Sequence, residues 1–131
     1  MKNNVFRNKT VLITGHTGFK GSWLSLWLSH LGAKVVGISQ DIPTSPSNFS
    51  TNFVNELVTD YRLDVTDEEG TKSLIESIKP DFVFHLAAQA LVRYSYDEPL
   101  KTFKTNAIGT ANVLEALRML DNKVIAIMIT S

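Results

Sequence analysis

Three glycines spaced three residues apart, Gly15, Gly18 and Gly21, form the part of the sequence best suited to bind a phosphate. At a turn from a strand into a helix, the first glycine permits the tight turn and the second lets backbone approach a pyrophosphate. The third lets the helix pack closely, and the helix N-terminus adds unpaired N–H groups. A kinase-type phosphate loop would need Ser or Thr after Lys20, where this chain has Gly21. The run therefore predicts a nucleotide-phosphate site, and a tight turn without a ligand is the alternative.

The other polar residues of interest also follow predicted strands. They are Ser39 to Asp41 after the second strand, Asp64 at the carboxyl end of the third, His85 to Gln89 after the fourth and Ser131 after the fifth. In parallel α/β sheets, ligands bind beyond the carboxyl ends of the strands, where the strand order reverses. We therefore expect these residues to border one site.

The elements that must position this site alternate between strands and helices, which favours a doubly wound parallel sheet, a Rossmann-like α/β fold of order 3-2-1-4-5. The predicted strands are 10–14, 34–39, 61–65, 81–86 and 124–130. The first helix has an apolar face of Trp23, Leu24, Trp27, Leu28 and Leu31 and stops at Gly32. The segment 41–59 is expected to be a surface loop with room for one helical turn. Thr66 or Asp67 caps the next helix, which ends before Pro80. A long helix over roughly 98–120 carries Phe103, Ala107, Thr110, Leu114 and Leu117 on one face.

Composition narrows the function classes. The chain has 131 residues, 44% of them hydrophobic, which suffices for one sizeable core. Its formal net charge is zero and its basic residues are scattered, so we expect no nucleic-acid partner. Without cysteine, no disulfide framework, zinc cluster or thiol nucleophile is predicted, and no metal site. The first residues are polar and no stretch is apolar enough for a bilayer, so we expect no membrane partner and a cytoplasmic protein.

Four segments together resemble the extended short-chain dehydrogenase/reductase superfamily: residues 14–24, 85–89, 92–99 and 105–110. Within the superfamily, the segments His16 to Leu24 and Ala87 to Arg93 most resemble the CDP-glucose 4,6-dehydratase family. The likeness covers nearly the whole chain, with the segments in the family's order and spacing.

The resemblance implies a role for each matching residue. Gly15, Gly18, Phe19, Lys20 and Gly21 would line the cofactor pyrophosphate. Asp64 would accept the adenine amino group beside the Val65 backbone, while Leu86, Ala87 and Ala88 would line the ribose and pyrophosphate. Asn106 matches the family's asparagine near the cofactor, and Gln89 and Arg93 are candidates for the substrate side. The plainer alternatives are a turn carboxylate for Asp64, a helix hydrogen bond for Asn106 and a solvated Arg93. For His85, a satisfied strand-end histidine is favoured over a catalytic base.

The cofactor prediction depends on the end of the second strand. Many relatives have an acidic residue there to hold the ribose hydroxyls, whereas this chain has Ser39, with Asp41 two residues later. A carboxylate near the ribose repels a 2′-phosphate, and no arginine follows this strand to attract one. NAD is therefore favoured as the cofactor and NADP is left open.

By resemblance, the activity expected is that of an NAD-dependent sugar-nucleotide 4,6-dehydratase, a lyase acting on CDP-glucose. Ser131 would be its first catalytic residue. The superfamily's catalytic tyrosine has a lysine four residues later, but Tyr61, Tyr94 and Tyr96 are followed at that spacing by Val65, Glu98 and Leu100. We therefore expect residues 1–131 to be an incomplete cofactor-binding Rossmann domain, without the later strands and the substrate domain, and inactive by itself. The alternatives are a sugar-nucleotide epimerase and a non-catalytic NAD-binding module. A homodimer or larger assembly is expected for the whole protein, through the 98–120 helix.

Overall fold

A computed structural model describes residues 4–130. It contains a five-stranded parallel sheet of order β3-β2-β1-β4-β5, which confirms the predicted fold class and strand order. The strands are β1 (Thr10–Thr14), β2 (Lys34–Ser39), β3 (Thr59–Arg62), β4 (Phe82–His85) and β5 (Ile125–Met128). The predicted bounds of the first two strands are confirmed, and β4 and β5 are shorter than predicted at their ends.

Helices connect the strands on both faces of the sheet. They are α1 (Phe19–His30), α2 (Asn48–Thr51), α3 (Glu68–Ile78), α4 (Val92–Asp97), α5 (Pro99–Phe103) and α6 (Gly109–Arg118). A 3₁₀ turn lies at Val54–Glu56, and a π turn at Lys104–Ile108 joins α5 to α6. Among the described residues, no helix is long and apolar enough to cross a membrane.

The start and end of α3 agree with the sequence prediction. Asp67 is the N-cap, and its Oδ1 accepts the Gly70 N–H at 3.0 Å. Two acidic residues in the first turn, Glu68 and Glu69, add favourable charge at the positive end of the helix dipole. The helix ends where Lys79 adopts a left-handed conformation (φ 47°), immediately before Pro80.

The predicted bounds of the third strand, 61–65, are wrong. The strand pairs Thr59 to Arg62 with Val36 to Ser39 of β2, and one further bond joins the Leu63 N–H to the Ser39 carbonyl at 3.1 Å. The strand residues are mostly exposed, whereas Val65 is buried. The apolar residues that led to the prediction therefore lie partly in the turn after the strand. At the edge of a sheet, the residues that pair with a neighbouring strand need not be the buried ones.

The predicted apolar face of α1 is only partly directed inward. Leu28 is buried and Leu24 packs against the core, but Trp23 and Trp27 are 52% and 61% exposed. The rest of the buried face consists of the small residues Gly21, Ser22 and Ser25. Small side chains let the helix approach the sheet closely, so close packing rather than bulk hydrophobicity sets the orientation of this helix.

The helical segment predicted over 98–120 is present, but its geometry changes midway. The π turn interrupts the α-helical period, and the buried residues of α6 are Gly109, Asn112, Val113, Ala116 and Leu117. Of the predicted face, Phe103 is 64% and Leu114 46% exposed, whereas Leu117 is buried. The sequence pattern did not predict α4.

Two cores stabilise the sheet, one on each face. One contains Leu12, Ile38, Ile75, Val83 and Val113 and is covered by α3 and α6. The other contains Val11, Ile13, Leu28 and Val35 and is covered by α1, with Phe6 packed edge-on against Phe82. Packing on both faces holds the carboxyl ends of the strands in fixed positions.

Candidate functional site

A cleft of about 190 Å³ lies beyond the carboxyl ends of the strands. Its lining comes from the segments after the first four strands and from the π turn: Gly15, Thr17, Gly18, Ser39, Gln40, Asp41, Pro43, Leu63, Asp64, Val65, Leu86, Ala87, Ala88 and Thr105. The cleft lies where the order reverses between β1 and β4, which is where α/β sheets bind ligands. Most of the residues predicted for the cofactor side are therefore brought together.

The glycine turn gives this cleft a bare backbone wall. Gly15 has φ +77°, and an added Cβ would lie 2.8 Å from the Ala87 nitrogen, so only glycine fits this turn. At Gly18 an added Cβ would meet only the Gly15 oxygen, at 3.3 Å, so its other side is open. The backbone is accordingly accessible to a ligand at Gly18.

Gly21 has a different role from Gly15 and Gly18. It is buried in α1 and does not line the cleft. An added Cβ would overlap the Gly15 carbonyl oxygen and lie 2.7 Å from the His16 Cα. The third glycine thus lets α1 pack against the turn itself.

Phe19 and Lys20 are the first two residues of α1 after the Gly18 N-cap, and both side chains are exposed. Neither side chain lines the cleft. The first N–H groups of a helix have no acceptor within it, so these residues would contribute to an anion site through their backbone. The first helical bond here runs from the Ser22 N–H to the Gly18 carbonyl at 2.9 Å.

Ser39 lines the cleft, but its hydroxyl is engaged inward. It accepts the Thr17 N–H at 3.3 Å and lies 3.0 Å from His16 Nδ1. Asp41 is exposed at the rim, and its carbonyl accepts the Thr17 hydroxyl at 2.6 Å. Of the two residues predicted to face the ribose, Asp41 has the more available side chain.

His16 was not singled out from the sequence, although it lies within the glycine run. Its side chain is fully buried, and its Nε2 lies 2.8 Å from Asp60 Oδ1. Burial lowers the pKa of His16, and this outweighs the Asp60 carboxylate, which favours the charged ring. The only sequence signal for its role was the presence of a polar residue between two turn glycines, because its partner Asp60 is 44 positions away in the chain.

Asp64 and Val65 form the wall of the cleft after β3. One carboxylate oxygen of Asp64 accepts the Thr66 N–H at 2.9 Å, as in an Asx turn. The helix cap is supplied by Asp67, so Asp64 is not needed for that role. Val65 is buried, and its carbonyl accepts the Asn112 amide at 2.9 Å. Asp64 is therefore both a turn carboxylate and a cleft residue.

The wall after β4 is fixed by a buried histidine. His85 Nδ1 lies 2.7 Å from Thr14 Oγ1, and its Nε2 lies 2.9 Å from Thr110 Oγ1. Thr14 Oγ1 also accepts the Ala87 N–H at 3.2 Å, so its own proton is available to His85 Nδ1. Thr110 donates to the Asn106 carbonyl at 2.7 Å and thus accepts from Nε2–H.

This arrangement requires a neutral His85 ring, and burial correspondingly lowers the pKa of His85. Both ring nitrogens have partners, so the prediction of a satisfied strand-end histidine is confirmed.

Asn106 lies outside the cleft, within the π turn. Its Oδ1 accepts the Gln89 N–H at 2.7 Å, and its Nδ2 donates to the Gln89 carbonyl at 3.1 Å. Asn106 therefore holds the backbone after β4, and Thr105 is the residue of this turn that lines the cleft.

Gln89 borders a second hollow, of about 180 Å³, together with Leu91, Ser95, Thr102 and Asn106. Its side-chain amide donates to Thr102 Oγ1 at 3.0 Å. Arg93 is exposed on α4 and lines neither hollow. Ser131 lies outside the described residues.

Comparison with known proteins agrees with this geometry. A sequence model of the family described as GDP-mannose 4,6 dehydratase matches residues 12–131. The CDP-glucose 4,6-dehydratase of Salmonella typhimurium is 46% identical over 128 residues, covering 98% of this chain and 36% of that protein. The chain thus spans about a third of the length of this relative.

Solved structures of UDP-glucose 4-epimerases have a similar fold. The UDP-glucose 4-epimerase from Thermotoga maritima with UDP-glucose has a TM-score of 0.73 and 34% identity, covering 82% of this chain and 33% of that one. The Thermus thermophilus UDP-glucose 4-epimerase in complex with NAD has a TM-score of 0.71 and 33% identity, covering 83% of this chain and 33% of that one. A nicotinamide cofactor is thus supported at the level of the family.

Proposed function

Because the chain belongs to the GDP-mannose 4,6 dehydratase family, we propose that its cleft binds NAD as part of a nucleotide-sugar 4,6-dehydratase acting on CDP-glucose. The observation that carries the proposal is the bare backbone wall of Gly15 and Gly18 at the point where the strand order reverses. The residues around this wall fit a dinucleotide, because backbone N–H groups can bind its pyrophosphate, Asp41 its ribose hydroxyls and Asp64 the amino group of its adenine. The cleft of about 190 Å³ is smaller than a usual ligand pocket, so part of the dinucleotide would extend beyond it.

The pyrophosphate would lie against Gly15 and Gly18 and the backbone N–H groups of Phe19 and Lys20. A helix N-terminus at this position favours negative charge because its N–H groups are unpaired and its dipole end is positive. Gly21 would act indirectly, by allowing α1 to approach the turn.

The adenosine would lie between the ends of β2 and β3. Asp41 would accept the ribose hydroxyls, and Asp64 the adenine amino group beside the Val65 backbone. Ser39 would line this region without using its hydroxyl, which already contacts Thr17 and His16.

The other end of the dinucleotide would lie along Leu86, Ala87 and Ala88, and the small side chains of the two alanines leave room beside the glycine turn. Bound NAD supplies a hydride acceptor and donor for oxidation and reduction of a sugar. Asn106 would hold the chain at Gln89, and Gln89 and Arg93 would face the nucleotide sugar. We assign Ser131 a catalytic role on family resemblance alone.

Residues 1–131 contain no tyrosine with a lysine four positions later, which is the superfamily's proton-transfer pair. We therefore propose that these residues form a cofactor-binding Rossmann domain that binds NAD without turning over CDP-glucose. Release of one water from CDP-glucose by the 131-residue chain, followed by mass spectrometry, would contradict this part of the proposal.

Calorimetric titration with NAD and NADP tests the cofactor assignment. Asp41→Asn removes a charged acceptor, which is worth about 1.5–3 kcal/mol, so NAD should bind at least tenfold more weakly and NADP relatively better. Asp67→Asn is the matched control, because it also removes one carboxylate charge but lies at the α3 cap. Equal NAD affinity in the native protein and the Asp41 variant would refute the ribose assignment, and absence of NAD binding would refute the site.

A sugar-nucleotide epimerase is the second candidate, because epimerases of 33% and 34% identity share the fold. The two activities can be distinguished by their products in a protein that contains this chain together with the tyrosine and lysine of the superfamily's proton-transfer pair. A dehydratase removes one water from the sugar nucleotide, whereas an epimerase leaves its mass unchanged and inverts one carbon.

A further inference from the structure

A buried histidine connects the glycine turn to two neighbouring strands. The His16 ring is fully buried and meets Ser39 of β2 on one side and Asp60 of β3 on the other. Gly37 provides the space, because an added Cβ there would overlap the ring and lie 2.6 Å from Nδ1. Phe49 of α2 packs edge-on at a centroid distance of 5.4 Å. The position of this ring is thus determined from three elements.

When the His16 ring is neutral, its hydrogen bonds have one consistent direction, because the Asp60 carboxylate can only accept. Ser39 Oγ accepts the Thr17 N–H at 3.3 Å, so its proton is available to His16 Nδ1 at 3.0 Å. The ring then donates from Nε2 to Asp60 at 2.8 Å. Asp60 also binds Arg62 at 2.7 Å, which provides the second partner of this carboxylate.

Thr17 extends the connection to the rim of the cleft. While its N–H is held by Ser39, its hydroxyl donates to the Asp41 carbonyl at 2.6 Å. Thr17 is 3% exposed, and its bond to Ser39 is buried whereas its bond to the Asp41 carbonyl is partly buried. The backbone of Asp41 is therefore tied to the glycine turn through one residue, and the Ser39 hydroxyl is unavailable to a ligand.

We propose that His16 is a positioning residue that fixes the adenosine end of the cleft, through Ser39 and Thr17 to Asp41, and thereby sets the preference for NAD over NADP. His16 does not line the cleft, so it acts only through these neighbours. The inference rests on the proposed NAD site. Its physical basis is preorganisation, since a carboxylate on a backbone held in place, as the Asp41 backbone is by Thr17, discriminates against a 2′-phosphate better than one on a loose loop.

Two substitutions of His16 separate its two bonds. His16→Asn places an amide oxygen near the position of Nδ1 and keeps the acceptor for Ser39, but it does not reach Asp60. His16→Gln reaches towards Asp60 and leaves Ser39 without its acceptor. Leu28→Ala is the control for general destabilisation, because Leu28 is buried in α1 away from the strand ends.

We expect His16→Gln to weaken NAD binding about tenfold and to lower the ratio of the NADP to the NAD dissociation constant, because a hydrogen-bonded link is lost. His16→Asn should stay within about threefold of the native dissociation constant for NAD. Leu28→Ala should lower the melting temperature without changing the ratio. Hydrogen exchange of the Thr17 amide, measured without cofactor, should be faster in His16→Gln than in His16→Asn.

Thr17→Val provides a second route that leaves His16 in place. Removing the bond to the Asp41 carbonyl should also lower the NADP to NAD ratio. The inference would be overturned if His16→Gln and Thr17→Val both kept the native ratio of the NADP to the NAD dissociation constant. It would also be overturned if His16→Gln, His16→Asn and Leu28→Ala all lost the same NAD affinity. Either outcome would leave the NAD site intact. Absence of NAD binding by the native protein would instead refute the proposed function and this inference with it.

Discussion

Replacing Gly21 by alanine has two opposing effects on stability, a gain in helix propensity and a loss from overpacking. In a helix interior, alanine is more favourable than glycine by about 1 kcal/mol, which is an upper limit for Gly21 in the first turn of α1. Here the added Cβ would overlap the Gly15 oxygen and lie 2.7 Å from the His16 Cα, and both are backbone atoms. Overpacking costs about 1–3 kcal/mol, and the upper end applies because no side chain can rotate away. We therefore expect a net loss of about 2 kcal/mol.

Urea denaturation followed by circular dichroism measures this loss, and the melting temperature should fall by about 8 °C. Gly70→Ala is the matched control, since its Cβ would meet side-chain atoms of Asp67 and Leu63, the latter at 2.9 Å. These side chains can move, so we expect a change within about 1 kcal/mol. A Gly21→Ala protein as stable as the native one, or less affected than Gly70→Ala, would refute the reasoning.

Three further predictions concern buried polar groups and a helix cap. Thr14→Val should cost about 2 kcal/mol in urea denaturation, because His85 Nδ1 and the Ala87 N–H lose their partner, while Thr14→Ser should cost less. Burial lowers the pKa values of His16 and His85, so the unfolded chain binds more protons below pH ~6.5. Unfolding free energy should therefore fall as the pH drops from about 6.5 towards the folded pKa values, by up to about 1.4 kcal/mol per pH unit for each histidine. His85→Gln should reduce that slope, and an unchanged slope would contradict the assignment. Asp67→Ala should lose about 1 kcal/mol of thermal stability while Asp67→Asn stays near native, because Asn also caps helices.

The sequence predicted the fold well where local patterns and tertiary packing agree. The bounds of β1 and β2 follow from apolar runs, and capping chemistry narrowed the N-cap of α3 to Thr66 or Asp67, of which the structure uses Asp67. Both signals depend on neighbouring residues only. The glycine spacing likewise indicated the turn before α1. These features are determined within a few residues of chain, so one sequence suffices to find them.

Prediction was weaker where packing between distant elements decides. The pattern around Tyr61 placed the third strand too late, because Leu63 and Val65 face the core from a turn. Trp23 and Trp27 are exposed because α1 approaches the sheet through smaller residues. In both cases, hydrophobicity alone did not determine which residues contact the sheet.

The candidate site shows the same division. Gly15, Gly18, Asp64 and Ala87 line one cleft, as expected from strand ends that share an edge. Thr105 was not predicted, because the π turn that directs it towards the cleft has no clear sequence signal. The same turn directs Asn106 to the Gln89 backbone, outside the cleft.

The sequence by itself determined the order of the strands, the glycine turn and the family, because these depend on residue types and spacing along the chain. Only the tertiary structure decided that the Ser39 hydroxyl is engaged with His16 and Thr17, and that Asp41 has the more available side chain at the cleft rim. It also joined His16 to Asp60, 44 residues later in the chain. Such contacts depend on which strands become neighbours, and that is fixed when the two faces of the sheet are packed.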